Sequence, residues 1–487
     1  MPESRSAAEL GCFGLLLIYL CWLPLPFGSV TERAQLPLIA GALGICAMAA
    51  AVRRSVEGRH SCLSPGPGTG KSACPPQNPA FRLWTAGGLA FIAIVALQLV
   101  PLPDPLLGVL SPQSLRTWSD AERVAALAGI GAPRWAHPLS VDPETTAAHL
   151  FRLLAYFATF LGAALLIRRH RHRAALAFAL GAAAVFETLY GIREAALHRY
   201  AIWGWVNRLI YNRVFGTFVN PNHFAHYAAI VLPLGVFLAA QAWHDAAPPG
   251  VPFGRRVVRL IEKRFFRFLA GAVIAAACVA AILAAQSRGA FVSAAAGFAV
   301  VGAAASGRRH TLRRGLLIAV AAGVPLLVVA YFGGLQIASR FEEPELATIG
   351  GRAATIKIAF ELWKRFPLFG TGLGTFPEMS SMTGIGRPEV LTSHAHDDYA
   401  EIAATTGAIG FLAALVPLFA GYLALMRGTF GAQLRLTWTR RAFQAAALTS
   451  ITTALVHALI DFNFFIPANP ATLAAIAGTA AALREPR

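Results

Sequence analysis

The residues with the most chemistry in this chain lie at 392–410, TSHAHDDYAEIAATTGAIG. Two histidines, two aspartates, a tyrosine and a glutamate sit together in a sequence otherwise dominated by Ala, Leu, Val and Phe. His394-x-His396-x-Asp398 falls one ligand short of a metallohydrolase pattern, which would want His where Tyr399 stands. Three roles are open to the stretch: metal ligation, proton transfer, or a polar helix entrance. A metal site needs three or four convergent ligands, and no second ligand cluster is evident. His is the natural proton acceptor at neutral pH, which suits His396 to general acid or base work. Asp397 or Asp398 is suited to cap a helix running through Tyr399, Glu401 and Ile402.

Other polar residues interrupt the apolar sequence. Arg213 stands in NRVFGTFVNPNHFAHY, near Trp203, Trp205 and Tyr211; it is either an interfacial anchor or a functional cation. The NPN triplet at 220–222 favours a turn that opens a helix, with Asn222 as a cap. His223 and His226 follow three residues apart, a spacing open to metal ligation and equally to packing. Arg288 lies in a hairpin of only Gln286, Ser287, Arg288 and Gly289 between two apolar runs. An Arg there either snorkels or binds an anion; the small residues around it leave room for something bulky and anionic. Arg352 precedes Ile356, Phe360 and Trp363, whose spacing predicts an amphipathic helix over Ala353–Phe366, along the membrane surface or packed on the bundle. Asp461 and Asn463 stand at the end of a late apolar run, where Asp461 can pair with an Arg or touch a substrate. His457, a turn earlier, reads as a core histidine.

These residues need a scaffold, and composition says which. Of the 487 residues 56% are hydrophobic and 14% charged, with mean hydropathy +0.56. A soluble domain carries about a quarter charged residues. Apolar runs of about 20 residues recur throughout, long enough to cross a bilayer as helices. They predict an all-α polytopic membrane protein of about twelve spans, near 10–30, 35–52, 83–101, 149–167, 174–192, 224–243, 268–286, 290–306, 315–333, 407–426, 442–460 and 468–484. The first run lacks a small-residue cleavage site and reads as a retained helix. The formal charge of +18 is no nucleic-acid signature. Lys and Arg gather in alternate short loops, at Arg53 and Arg54, 168–173, 255–267, 308–314 and 427–441, which is the positive-inside pattern. It places both termini in the cytoplasm. The other side then receives long connections at 102–148, 193–223 and 334–406, where function is expected. The whole chain, 1–487, reads as one integral membrane domain.

Three further features carry less. Cys12, Cys21, Cys46 and Cys278 lie in apolar runs, and Cys62 and Cys74 share a loop placed in the cytoplasm, where a disulfide is not expected. SPGPGTGKSA at 64–73 has Pro65 where a P-loop needs Gly and reads as a linker. GTGLGTF at 370–376 has no βαβ unit around it, and its glycines read as tight turns beside the membrane.

Several stretches together resemble the O-antigen ligase and polymerase superfamily of bacterial inner-membrane glycosyltransferases. They are RVFGTFVNPNHFA, SRGA, GGRAATIKIAFELWKRFPLFGTGLGTF, HAHDDYAEIAATTGAIGF and HALIDFNFFIPAN, with PLPDPLL and PLSVDPETT in the first long connection. The most specific element is a His, a polar residue, nine residues and a Gly, met by His396, Asp397 and Gly407; the family more often has Asn at the place of Asp397. The resemblance implies a GT-C-like helical fold with a long periplasmic loop carrying short amphipathic helices. It implies metal-independent, inverting transfer of a glycan from undecaprenyl diphosphate to a hydroxyl on lipid A-core or a growing polysaccharide, at the periplasmic face and without a cofactor. By family match, His396 is the general base and Arg213 and Arg288 clamp the diphosphate. Arg352, Asn222 and Asp461 are further substrate-binding candidates. Ligase and polymerase share this chemistry and differ in acceptor. A transporter or flippase is the more distant reading, disfavoured because the polar residues gather on one side and the chain shows no repeated halves.

Overall fold

The computed structural model describes residues 7–60, 78–130, 134–206, 213–306, 346–385, 392–431 and 436–482. Its architecture is all-α. In chain order the helices are α1 (Ala7–Trp22), α2 (Glu32–His60), α3 (Pro79–Leu97), α4 (Asp104–Leu110), α5 (Pro112–Leu127), α6 (Pro143–Leu166), α7 (His170–Ala196), α8 (Pro221–Ala246), α9 (Phe253–Ala284), α10 (Arg288–Ser306), α11 (Leu346–Arg365), α12 (Phe376–Ser380), α13 (Asp398–Phe430), α14 (Trp438–His457) and α15 (Ala468–Ala481). Two short antiparallel ribbons lie in the long connections: Leu102–Pro103 pairs with Ala136–His137, and Ala201–Ile202 with Trp205–Val206.

Eight of these helices are long and apolar enough to cross a membrane: α2, α3, α6, α7, α8, α9, α10 and α13. α1, α14 and α15 form where spans are expected but fall outside that set, α1 and α15 being only 16 and 14 residues long. The expected span at 315–333, the basic residues at 308–314, the loop holding Cys62 and Cys74, and the Gly/Pro segment at 64–73 lie outside the described residues.

Several long helices open on one local code, an Asn or Asp followed by Pro. Asn78, Asp142 and Asn220 precede Pro79, Pro143 and Pro221. Each caps the helix by accepting from a first-turn N–H: Asn78 from Ala80 at 3.0 Å, Asp142 from Thr145 at 3.1 Å, Asn220 from Asn222 at 2.8 Å. The Pro takes a position whose N–H would be unpaired anyway. Asn220 is therefore the cap of α8, where the sequence pointed to Asn222; the Asn222 side chain is left for another partner. α8 is the most enclosed span, 83% buried over its most apolar window. It lies against α9 where Gly235 meets Ala275 and Gly271 meets Ala239, a backbone approach that only small residues permit.

The feature that sets the functional end is a break in α13. Gly407 has φ +64° and ψ −174°, a conformation nearly confined to glycine. The loop after α11 docks into this break: Ala408 N–H donates to Pro367 O at 2.8 Å and Ile409 N–H to Leu368 O at 3.1 Å, while Thr371 and Gly372 N–H donate to Ala404 O and Thr405 O. Gln98, just after α3, fastens both strands of backbone. Its Nε2 donates to Phe369 O and Thr405 O, and its Oε1 accepts from Leu373 N–H. A Cβ on Gly370 or Gly407 would strike the opposing backbone. The glycines of GTGLGTF thus serve a backbone clamp that carries the segment leading to His396.

α11 spans the predicted amphipathic helix, and it is the opposite face that packs inside the protein. Ile358, Ala359, Leu362 and Phe366 are buried, whereas Ile356, Phe360 and Trp363 are partly or largely exposed. The helix is apolar on both sides, so spacing alone does not say which side packs.

Candidate active site

His396 is held on a strained backbone. Its φ is +54°, uncommon for a residue with a Cβ. The surrounding contacts fix it there. Asp398 N–H donates to Ala458 O at 2.8 Å, the Asp397 carboxylate caps α13 by accepting from Ala400 N–H, and Asp398 accepts from Phe464 N–H. On the other side of His396, Ala395 N–H donates to Glu401 Oε2 at 2.8 Å and His394 Nδ1 is hydrogen-bonded to Glu401 Oε1 at 2.9 Å. Glu401 is fully buried, so it organises the loop from inside.

This arrangement turns His396 Nδ1 toward Asp461 Oδ1 at 3.5 Å. That is ion-pair range, longer than a well-formed N–H···O bond. His396 is a third exposed and Asp461 is 2% exposed, so one partner faces the open end and the other is enclosed. His223 Nε2 approaches the same Asp461 oxygen at 3.7 Å. Phe462 is the hub of the cluster: His394 stacks on it at 4.0 Å between centroids, and His223 and His396 meet it edge-on at 4.6 and 4.9 Å. Burial alone would push the Asp461 carboxyl up; the nearby His223, His396 and His457 imidazoles outweigh it and hold the carboxyl well below the usual carboxylate range. Asp397 goes the other way, raised because burial outweighs its two backbone N–H bonds.

The arginines arrive from a neighbouring turn. Arg213 Nη2 donates to Asn222 Oδ1 at 2.8 Å, and its Nε donates to Ala285 O at 2.9 Å. Val214 N–H donates to Ala284 O at 3.0 Å. Arg213 and Asn222 are thereby pinned to the α9–α10 hairpin that carries Arg288. The turn after Arg213 is anchored by Glu187 of α7, whose carboxylate accepts from Thr217 N–H and Thr217 Oγ1–H at 2.7 and 2.8 Å. The hairpin in turn touches the histidine cluster: a Cβ on Gly289 would lie 2.6 Å from His457 Nε2. His457 Nδ1 is 2.7 Å from His226 Nδ1 and 3.3 Å from Asn463 Nδ2. Arg352 sits one turn before Thr355, whose hydroxyl donates to Ala395 O at 2.7 Å, and it lies within electrostatic reach of His457.

Contacts of neighbouring residues therefore join all six sequence-predicted site residues at one end of the bundle. His396 pairs with Asp461 directly and Arg213 with Asn222 directly. Arg288 and Arg352 join through the segments that bear them. His226 and His457 bond to each other, the packing role. No three His, Cys, Asp or Glu side chains among the described residues are arranged as metal ligands. Glu187 and Phe462 were not singled out by sequence, and the buried role of Glu401 beside His394 was not foreseen. For the two glutamates the available signal was a carboxylate inside an otherwise apolar helix.

Residues 271–415 match the family model described as O-antigen ligase. That stretch of the chain is similar to the O-antigen ligase superfamily. No curated protein matches the chain significantly. The O-antigen ligase region runs from within α9 into α13, and so holds Arg288, Arg352 and His396, along with Gly407 and the glycine clamp. Arg213, Asn222 and Asp461 come from outside it. Together with the eight apolar helices, the match supports a multi-pass membrane protein with O-antigen ligase-type glycosyltransferase activity in the broad sense.

Proposed function

We propose that the protein moves a glycan from undecaprenyl diphosphate to an acceptor hydroxyl, on lipid A-core or a growing polysaccharide, at the periplasmic face of the inner membrane. The observation that carries this reading is the His396–Asp461 pair at a bundle end that also gathers Arg213, Asn222 and Arg288. The Asp461 carboxylate, 3.5 Å from Nδ1, favours the tautomer protonated there, which leaves Nε2 to accept a proton. The acceptor oxygen attacks the anomeric carbon, its proton passes to His396 Nε2, and the carbon–oxygen bond to the diphosphate breaks. The electron pair leaves with the lipid diphosphate. Attack opposite the leaving group inverts the anomeric centre. Arg213 and Arg288 stabilise the departing charge, a task for which forked, charge-assisted bonds suit guanidinium better than ammonium. Base catalysis of this kind contributes about 10²–10⁴-fold. The lipid diphosphate carries its own activation, so the chemistry calls on no nucleotide sugar and no metal.

The test is transfer of a labelled glycan from undecaprenyl diphosphate by the full-length protein in detergent, where a transporter has no compartment to fill. His396→Ala should abolish transfer while the donor still binds, and Arg288→Lys should be severely impaired. Wild-type rates in His396→Ala would refute the base; near-normal Arg288→Lys would remove the clamp. Transfer lost on chelation and restored by a divalent ion would refute the metal-independent route.

A further inference from the structure

A second cation lies at membrane depth away from this cluster. Arg152 is the tenth residue of α6, about 14 Å along the helix from its start at 1.5 Å per residue. It lines a cavity with His149, Tyr156, Leu373, Phe464 and Phe465. Its Nε donates to Gln35 Oε1 at 2.8 Å, and Nη1 lies 3.1 Å from His149 Nε2. Arginine only donates, so His149 Nε2 is the acceptor there; the ring's proton is then on Nδ1, 3.0 Å from Thr145 O. His149 is therefore neutral. Two of the five guanidinium N–H groups have partners, both uncharged, and no carboxylate among the described residues pairs with Arg152. An ionised group inside a span is costly and ordinarily paired. This one lines a cavity instead.

The cavity continues into an apolar cleft. Phe91 and Phe464 line both, and the cleft runs on between α3, α6, α13 and α15 past Phe160, Leu473 and Trp84. It is narrow: Gly87 of α3 lies against Pro417 of α13, so that a Cβ there would collide with the ring. Its free volume of about 270 Å³ lies just below the usual range for ligand sites, about 300–1,000 Å³. A lone guanidinium at the head of a slender apolar cleft matches a phosphate headgroup on a single chain. The site reaches the histidines by its own route: His149 meets Phe465, and Phe465 meets His394.

We propose that the Arg152 cavity and the adjoining cleft bind a single-chain lipid phosphate, with Arg152 on the phosphate and the chain running toward Trp84. In the transferase reading, on which only this assignment of role rests, the occupant is the second lipid substrate beside the diphosphate donor.

Trp84 provides the readout. Full-length protein in neutral phosphatidylcholine nanodiscs is titrated with dodecyl phosphate brominated on its chain, and the fluorescence component absent from Trp84→Phe is followed. Saturable quenching of that component is expected. Arg152→Gln should weaken it about tenfold or more, the loss expected of charge-assisted bonds. Brominated dodecanol, lacking the phosphate, should quench only at far higher concentration. Arg213→Gln should leave the titration unchanged, which separates this site from the donor clamp. Equal quenching by phosphate and alcohol overturns the proposal even if Arg152→Gln does not fold. Equal quenching by brominated phosphatidylglycerol overturns the single-chain occupant, and an unaltered Arg152→Gln titration overturns the role of the guanidinium. None of these readings needs transfer activity.

Discussion

Asp461→Asn isolates the electrostatic link on which the base depends. At 3.5 Å a protonated His396 and an ionised Asp461 attract by about 5 kcal/mol at an effective dielectric near 20. His396 is 34% exposed, and screening by solvent brings this to about 3 kcal/mol. That is roughly a hundredfold in rate, since the imidazolium forms only as the acceptor proton is taken. The amide keeps the acceptor that Phe462 N–H now finds on Asp461 Oδ1 at 3.0 Å, so the turn is preserved. Steady-state transfer should show kcat down about a hundredfold with donor KM little changed, the signature of an interaction made in the transition state. The double variant His396→Ala, Asp461→Asn should be scarcely worse than His396→Ala alone. The pH profile gives a separate check. A carboxyl held low in the folded state contributes stability above its unfolded value of about 3.9, which is lost as pH falls through the lower folded value. Asp461 therefore stays ionised from pH 5 to 8, so activity lost on acidification within that window does not come from its own titration. A kcat within about threefold of wild type, or a change confined to KM, would refute the pairing.

Two further substitutions test the frame around the histidine. Asp397→Asn keeps the cap, since Asn serves as well as Asp, and removes the cost of ionising a buried carboxyl. A raised folded value means the native state loses stability as pH rises from the unfolded value through the folded one. Thermal unfolding should therefore show the Asn variant more stable than wild type at pH 7, with the advantage vanishing below about pH 4; a Tm lower than wild type at pH 7 would contradict this. Gly407→Ala forces a Cβ into the Leu368–Phe369 backbone at a conformation nearly closed to alanine, costing about 1–3 kcal/mol from strain before any clash. Transfer and thermal stability should fall together, and an active, fully stable variant would show that the helix break is dispensable.

The sequence carried the fold class and the identity of the polar residues because both are local. Apolar runs of span length announce helices, and Arg213, Arg288 and His396 stand out against an apolar background. The pairing of His396 with Asp461 is not local. The two are separated by α13 and α14, and only the return of those helices to one end brings them together. Gln98 gave no signal, being a neutral residue at the end of a span, yet its three hydrogen bonds fasten two backbone segments together. The capping residue of α8 was misjudged by two positions because Asn220 and Asn222 flank the same proline, and only the bond from Arg213 shows that Asn222 is otherwise engaged. On α11 the periodicity was real but ambiguous, with apolar residues on opposite faces.

The most direct test of the central claim is a structure of the full-length protein with undecaprenyl-diphosphate glycan bound. The diphosphate should lie within hydrogen-bond reach of both Arg213 and Arg288, with His396 Nε2 turned to the sugar's anomeric carbon on the face away from it. A diphosphate seated far from both guanidinium groups, or a His396 ring rotated away from the sugar, would contradict the account.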